Sequence, residues 1–144
     1  MKKLVVIGVF AAAALAVILL WPSDENRVRK VFAGAAEAAA ARDVDGFMAL
    51  ISYSYRDDFG MSYLALKEQL KSQFALFSNI SVEYEEIKPR IEGDKATVLV
   101  RLRVVATTGS DTGYVLGDVK TPLALTVELV KERARWFITK AQRD

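Results

Sequence analysis

The chain has 144 residues, which suits one domain, and it contains neither Cys nor His. These absences exclude a disulfide framework, a thiolate nucleophile, a Cys-based zinc site and any mechanism that needs an imidazole. Catalysis would have to rest on carboxylates, Tyr, Lys or Arg, or on a bound cofactor. The net charge of +2 comes from Lys2 and Lys3, because the remainder carries 18 basic and 18 acidic residues. A domain without a basic excess is not expected to bind nucleic acid.

The first element is an apolar segment from Leu4 to Leu20. As a helix its 17 residues would span about 25 Å. The hydrocarbon core of a bilayer is about 30 Å thick, so the span is short but workable with Trp21 at the interface. Because Lys2 and Lys3 precede the segment, the positive-inside rule places the rest of the chain outside the cytoplasm.

A cleaved signal peptide is the alternative for this segment. Such peptides end in a small-x-small cleavage site, and the segment offers one in Ala14-Leu15-Ala16. Cleavage there would leave a new terminus of apolar residues. We therefore divide the chain into an anchor or signal segment, 1–21, and one domain, 22–144. We expect a single-pass protein of a bacterial inner membrane with the domain in the periplasm or outside the cell. The alternative is a domain secreted after cleavage of the signal.

The domain opens with helical patterns. Ser23 is a candidate N-cap for an amphipathic helix that ends near Arg42, and Asp43 can cap a second, shorter helix. A polar and aromatic connector, Ser52 to Gly60, precedes a third helix from about Ser62 to Phe77, which we expect Asn79 to close.

The apolar period then changes from helical to two, which is typical of strands with one covered face. Strands are predicted around Ile80–Glu85, Val98–Val105, Leu123–Val130 and Trp136–Lys140. The segment Thr107–Gly113 is rich in Gly, Thr and Ser and is predicted to be a loop. The order predicts an α+β fold of three N-terminal helices packed on a curved antiparallel sheet of four or more strands.

This order resembles the NTF2-like superfamily, which includes the SnoaL-like and ketosteroid-isomerase-like proteins. Three stretches carry the resemblance: the helix, acidic turn and helix of residues 39–50, the Gly-Asp-x-Ala hairpin of residues 91–98, and the aromatic closing strand of residues 135–138. The resemblance implies a sheet wrapped around a long helix, forming a cone with an open end. In the family that cone holds a small ligand, serves as an active site or presents a protein-binding face.

The ketosteroid-isomerase-like mechanism would need a carboxylate base and acidic donors inside the cone. No set of residues here matches it position by position, so we assign no catalytic residue, no metal site and no cofactor. The polar candidates for lining a ligand pocket are Tyr53, Tyr55, Tyr63, Tyr84 and Glu86. Each has a structural alternative: the tyrosines as amphipathic packing residues and Glu86 as a solvated carboxylate near a strand end.

The strand pattern places Arg101, Arg103 and Glu128 on the outer face of the sheet, where they pair across strands or contact a partner. The leading interpretation is a membrane-tethered, non-enzymatic binding or assembly module, with a homodimer or an envelope protein as partner. Anchored domains of this superfamily also occur in bacterial secretion assemblies. The alternatives are a SnoaL-like enzyme, of isomerase or cyclase type, or a carrier; each would take a hydrophobic small molecule in the cone.

Overall fold

The computed structural model describes residues 8–16 and 23–144. Residues 8–16 are helical, and the large apolar side chains of Val9, Phe10 and Leu15 are exposed. The predicted apolar segment, 4–20, lies partly outside the described residues. Lys2, Lys3 and Trp21 lie outside them entirely. Among the residues that are described, no helix is both long enough and apolar enough to cross a membrane.

Three helices follow within the domain: α1 (Asp24–Ala41), α2 (Val44–Met48) and α3 (Tyr63–Leu76). Each begins at a side chain that accepts a hydrogen bond from a backbone N–H three residues on. These caps are Ser23 for α1, Asp43 for α2 and Ser62 for α3. The predicted caps at Ser23 and Asp43 are thus confirmed.

Five strands form one antiparallel sheet. They are β1 (Asn79–Glu92), β2 (Lys95–Thr108), β3 (Asp111–Leu116), β4 (Leu123–Glu132) and β5 (Arg135–Arg143). The order is β1-β2-β4-β5, and β3 pairs with the far end of β2, beyond the stretch that β4 pairs with. α1 packs along β1, so the molecule has helices on one face of an open antiparallel sheet. The predicted α+β class is confirmed.

Two sequence predictions about the strand boundaries are wrong. The segment predicted as a loop forms the end of β2, a two-residue turn and the start of β3. Gly109, with φ of 60°, occupies the first position of that turn, where a hairpin favours glycine. β3 is exposed along its whole length, so no apolar alternation marks it in the sequence.

Asn79 does not close α3 but is the first residue of β1. The helix ends at Leu76 because the next backbone groups join the sheet at once: the N–H of Ser78 donates to the carbonyl of Thr107 at 2.9 Å. The long strand therefore begins three residues after the helix.

The inner face of the sheet, which carries α1, is built by strict alternation in β2. The even-numbered residues of β2 from Ala96 to Leu102 are buried and the odd-numbered ones point to the outer face. β1 follows the same pattern only as far as Tyr84, because a β-bulge at Glu85 separates the pairs Tyr84–Leu102 and Glu86–Arg101. The extra residue reverses the alternation in the rest of β1, so Ile87 and Ile91 face inward instead.

The connector before α3 lies along the edge of β5 that does not pair with β4. The N–H of Ser52 donates to the carbonyl of Ile138 at 2.8 Å, and the N–H of Ile138 donates to the carbonyl of Leu50 at 2.9 Å. This edge is therefore covered, which protects it from pairing with another chain. The same contacts place the tyrosines of the connector beside β5.

Candidate functional site

The inner face of the sheet is covered by tightly packed apolar side chains. Val98, Val100 and Leu129 are at most 1% exposed, and Val28 of α1 is fully buried against them. Among the described residues, no buried side-chain nitrogen or oxygen lacks a hydrogen-bond partner. The interior that the resemblance predicts as an open cone is filled along this face.

Tyr84 points into this interior, as predicted, but its hydroxyl is used for a structural contact. The phenol donates a hydrogen bond to the carbonyl of Phe32 at 2.7 Å, and the two rings meet edge to face with centroids 6.1 Å apart. Burial raises the pKa of Tyr84 to about 12. The hydroxyl thus ties β1 to α1.

Tyr55 is also buried and does not line a cleft. Its hydroxyl donates to Asp57 Oδ2 at 3.0 Å, while Asp57 Oδ1 accepts from the N–H groups of Phe59 and Met61. Burial, and then the hydrogen bond and charge of Asp57, raise the pKa of Tyr55. Asp57 therefore organises the loop before α3, while the neighbouring Asp58 approaches Lys140 at 3.9 Å.

Of the two interpretations of Glu86, a pocket residue inside the cone or a solvated carboxylate near a strand end, the structure agrees with the second. The bulge at Glu85 turns Glu86 to the outer face, where its carboxylate lies 2.8 Å from Lys88 Nζ and 3.6 Å from Arg101 Nε. The hydrogen bond from Lys88, together with the positive charges of Lys88 and Arg101, lowers the pKa of Glu86 despite some desolvation. Glu86 is an ionised, paired surface carboxylate and not a buried base.

A cleft of about 450 Å³ lies between α2, the connector, α3 and the start of β5. Tyr53 and Tyr63 stand at its rim with ring centroids 4.8 Å apart, and Tyr53 is 87% exposed. The buried side chains of Met48, Ile51 and Ser52 contribute to its lining. The remaining lining residues are Asp45, Ala49, Lys67, Glu132, Arg135 and Phe137.

This cleft lies beside β5 and reaches the core, because Met48 and Ile51 line it and belong to the hydrophobic core. Arg135 and Phe137 also line it, and they flank Trp136, which is buried on the inner side of β5. Because neighbouring strand residues point to opposite faces, the side chains of Arg135 and Phe137 lie on the other face of β5 from that of Trp136. A molecule held here would contact both the surface of the domain and the edge of its core.

The charges in the cleft are mixed and exposed to water. Lys67 Nζ lies 4.0 Å from Asp45 Oδ1, whose side chain is 91% exposed, and Glu132 and Arg135 are both exposed. Partial burial, followed by the nearby Tyr53 and Asp45, raises the pKa of Tyr63. The cleft therefore offers two aromatic rings and charges of both signs, which suits binding.

Of the residues predicted from the sequence, the structure brings only Tyr53 and Tyr63 together in this cleft. Lys67 was not predicted, although it follows Tyr63 by one helical turn and so shares its face of α3. Arg135 was not predicted as a site residue either, although the sequence shows that it neighbours the strand residue Trp136. Nothing in the sequence indicated that α2 would supply Met48.

Arg101, Arg103 and Glu128 lie on the outer face, as the strand pattern predicts. Arg103 donates to Glu85 Oε2 at 3.1 Å and to the carbonyl of Asp118 at 2.7 Å. The partners of both arginines are thus in β1 and in the loop after β3, whereas Glu128 lies opposite Thr97 and Lys140. The arginines are held by intramolecular contacts.

No protein-family model matches this chain, and no curated protein matches it in sequence. Solved structures match it closely in backbone. An NTF2-like protein with a cystatin-like fold from Novosphingobium aromaticivorans has a TM-score of 0.66 and 15% identity, over 92% of this chain and 86% of that one. A protein provisionally named scytalone dehydratase, from the same organism, has a TM-score of 0.72 and 13% identity, over 83% and 82%.

A third similar structure is a provisionally named dehydratase of the NTF2-like family from Streptomyces avermitilis. Its TM-score is 0.67 at 11% identity, over 81% of this chain and 91% of that one. The backbone similarity establishes the architecture, whereas sequence identities this low leave the chemistry open. The chain has the NTF2-like, cystatin-like fold that its sequence resembles.

Proposed function

We propose that this chain is a non-enzymatic binding or assembly module, held at the outer surface of a bacterial inner membrane by its apolar segment 4–20. The observation that carries the proposal is the filled inner face of the sheet. A small-molecule enzyme of the type first considered needs an open cone with a buried carboxylate. Here Val98, Val100 and Leu129 occupy that space, and Glu86, a carboxylate considered for the interior, is on the outer face.

The cleft supports a binding role over a catalytic one. Its acidic groups, Asp45 and Glu132, are exposed, whereas enzymes desolvate a carboxylate that acts as a general base. The exposed ring of Tyr53 is the kind of side chain that anchors protein interfaces. The exposed apolar side chains in residues 8–16 support a tether, because large apolar groups are normally shielded from water.

A binding site for a small apolar or aromatic molecule is the second candidate. Its volume of about 450 Å³ is in the range of ligand sites, and two similar structures carry provisional dehydratase names. In this case the ligand would sit in the cleft beside Tyr53 and Tyr63. Native mass spectrometry of protein purified from its own membranes distinguishes this candidate by a retained ligand mass that Tyr53→Ala removes.

The proposal is tested in two steps in intact cells. Alkaline carbonate extraction should leave the chain in the membrane fraction, and release at reduced mass would contradict the tether. A photo-crosslinking amino acid at Tyr53 should trap a defined protein adduct, either a second copy or another envelope protein. The control carries the same crosslinker at Tyr114, which is exposed on β3. If neither position yields an adduct and the protein is strictly monomeric, the module has no partner and the proposal fails.

A further inference from the structure

The turn between β4 and β5 is fastened to the beginning of α1. The carboxylate of Asp24, in the first turn of α1, lies 3.1 Å from Lys131 Nζ and accepts a hydrogen bond from Trp136 Nε1 at 3.3 Å. Lys131, before the turn, pairs with Trp136, after it. A guanidinium nitrogen of Arg27 reaches the carbonyl of Ala134, in the turn itself, at 3.5 Å. The turn and the start of α1 therefore form one rigid end of the domain.

This end is close to the membrane if the chain is tethered as proposed, and the inference rests on that proposal. Asp24 is the fourth residue after Leu20, the last residue of the apolar segment. Even fully extended, four residues span only about 14 Å. The headgroup layer adds roughly 6 Å on each side of the hydrocarbon core. The end of the domain that holds Asp24 cannot move far from the headgroups.

The same end carries an excess of positive charge. Six basic and three acidic residues lie in residues 24–30 and 131–135, while the rest of the domain is acidic by the same margin. Two of the three acids are already paired, Asp24 with Lys131 and Glu25 with Arg29. The basic residues are Arg27, Arg29, Lys30, Lys131, Arg133 and Arg135.

Arg133 and Arg135 are the most available of these cations. Both are exposed, and within the described part of the chain neither forms an ion pair with a carboxylate. Arg135 stacks over the ring of Phe137 at 5.5 Å, which directs its guanidinium along the surface of β5. Basic residues beside a membrane are attracted to anionic lipids over about a Debye length.

We propose that this face, formed by the β4–β5 turn and the start of α1, docks on anionic phospholipid headgroups of the membrane that tethers the chain. Arg133 and Arg135 make the contact. Docking fixes the orientation of the domain, so that the cleft, which Arg135 also lines, opens beside the bilayer surface. The domain is then held at a defined angle rather than rotating freely on its tether.

The absence of cysteine makes the test direct, because a single introduced thiol can be labelled without other changes. Ala134→Cys places an environment-sensitive fluorophore on the turn. Ser110→Cys, in the β2–β3 turn, is the matched control at the other end of the sheet. Lys95, which pairs with Val130, begins β2 and Thr108 ends it, so the two turns are roughly 40 Å apart. The full chain is reconstituted in vesicles of phosphatidylcholine alone or with phosphatidylglycerol.

The label on Ala134→Cys should shift its emission to the blue and be quenched by a headgroup-linked quencher only when phosphatidylglycerol is present. The label at Ser110→Cys should not respond. Arg133→Glu, which is outside the cleft, should abolish the response, and high salt should reduce it because it screens the attraction.

Two failures are separable by flotation of the same samples. If the chain floats with the vesicles but the label on Ala134→Cys does not distinguish the lipids, the docking face is wrong and the tether stands. If the chain does not float with either vesicle, the tether is wrong and the docking falls with it. A response that Arg133→Glu leaves unchanged also overturns the assignment, because the contact would then lie elsewhere.

Discussion

Glu86 lies opposite Arg101 on the outer face of the sheet, with 3.6 Å between its carboxylate and the arginine Nε. This pairing exists because Glu85 is inserted as a bulge directly before Glu86. If Tyr84, Glu85 and Glu86 alternated regularly without a bulge, Glu86 would lie on the inner face, as Tyr84 does. One extra residue therefore decides whether the sheet has an acid inside or outside its core.

Neutralising Glu86 should have little effect on the folded protein. Glu86→Gln removes two surface ion pairs, with Lys88 and Arg101, which water already screens. We expect an unchanged circular-dichroism spectrum and a thermal midpoint within experimental error of the parent protein. A large stabilisation of Glu86→Gln would indicate that a charge had been relieved in the interior, and it would contradict the bulge.

The filled interior predicts a strong contrast between two leucines on opposite faces of the sheet. Leu129→Ala removes a side chain that is 1% exposed and should cost about 2–5 kcal/mol in the free energy of unfolding. Leu99→Ala, at a position that is 48% exposed on the outer face, should cost less than about 1 kcal/mol. Urea denaturation of both variants measures this contrast. Equal costs would mean that the inner face is not packed as described.

The fold was predictable from the sequence because its signals are periodic. The helical spacing of Val28, Val31 and Phe32 and the period of two from Val98 to Leu102 specify which face of each element is covered, and the structure follows both patterns. The caps at Ser23 and Asp43 were predictable because Ser and Asp are residue types that favour the N-cap position, and each comes directly before a helical pattern. β3 was not, because an exposed strand leaves no apolar alternation to detect.

The site was much less predictable. Tyr53 and Tyr63 are ten residues apart, and the loop organised by Asp57 brings them together. Arg135, which lines the same cleft, comes from the other end of the chain through the contacts at the edge of β5. No local pattern encodes either encounter. Glu86 shows the same limit, since a single bulge changes its face and bulges have no firm sequence signature.

Removing the buried hydroxyl of Tyr84 should weaken the contact between β1 and α1. Tyr84→Phe loses the hydrogen bond to the carbonyl of Phe32 and should cost about 1 kcal/mol at neutral pH. Because burial raises the pKa of Tyr84 to about 12, its contribution is complete below pH 10 and is lost as the pH rises through 12. The difference in stability between the parent and Tyr84→Phe should therefore shrink above pH 10.

Tyr114→Phe is the control for this measurement, because Tyr114 is exposed on β3. It should leave the stability at neutral pH unchanged. A spectrophotometric titration of the folded protein should likewise show one fewer late-ionising tyrosine in Tyr84→Phe. An alkaline profile identical to that of the parent would mean that Tyr84 is not buried.

The contacts of Asp24 with Lys131 and Trp136 should make the free energy of unfolding depend on pH in the acid range. A hydrogen bond from Lys131, aided by one from Trp136 and by nearby positive charges, holds the pKa of Asp24 below its ordinary value of 3.8 despite partial desolvation. The carboxylate therefore stabilises the folded state above that value, and this contribution is lost as the pH falls through the lowered pKa. The side chain is partly exposed, so solvent screens the interaction and Asp24→Asn should cost about 1 kcal/mol at neutral pH.

Glu25→Gln, at the next residue along the chain, is the control: it breaks only an exposed pair with Arg29 and should cost less. Chemical denaturation at a series of pH values measures both variants. The cost of Asp24→Asn should be constant from neutral pH to about pH 5 and disappear in strong acid, and a cost that persists there would show that Asp24 acts only as an uncharged helix residue.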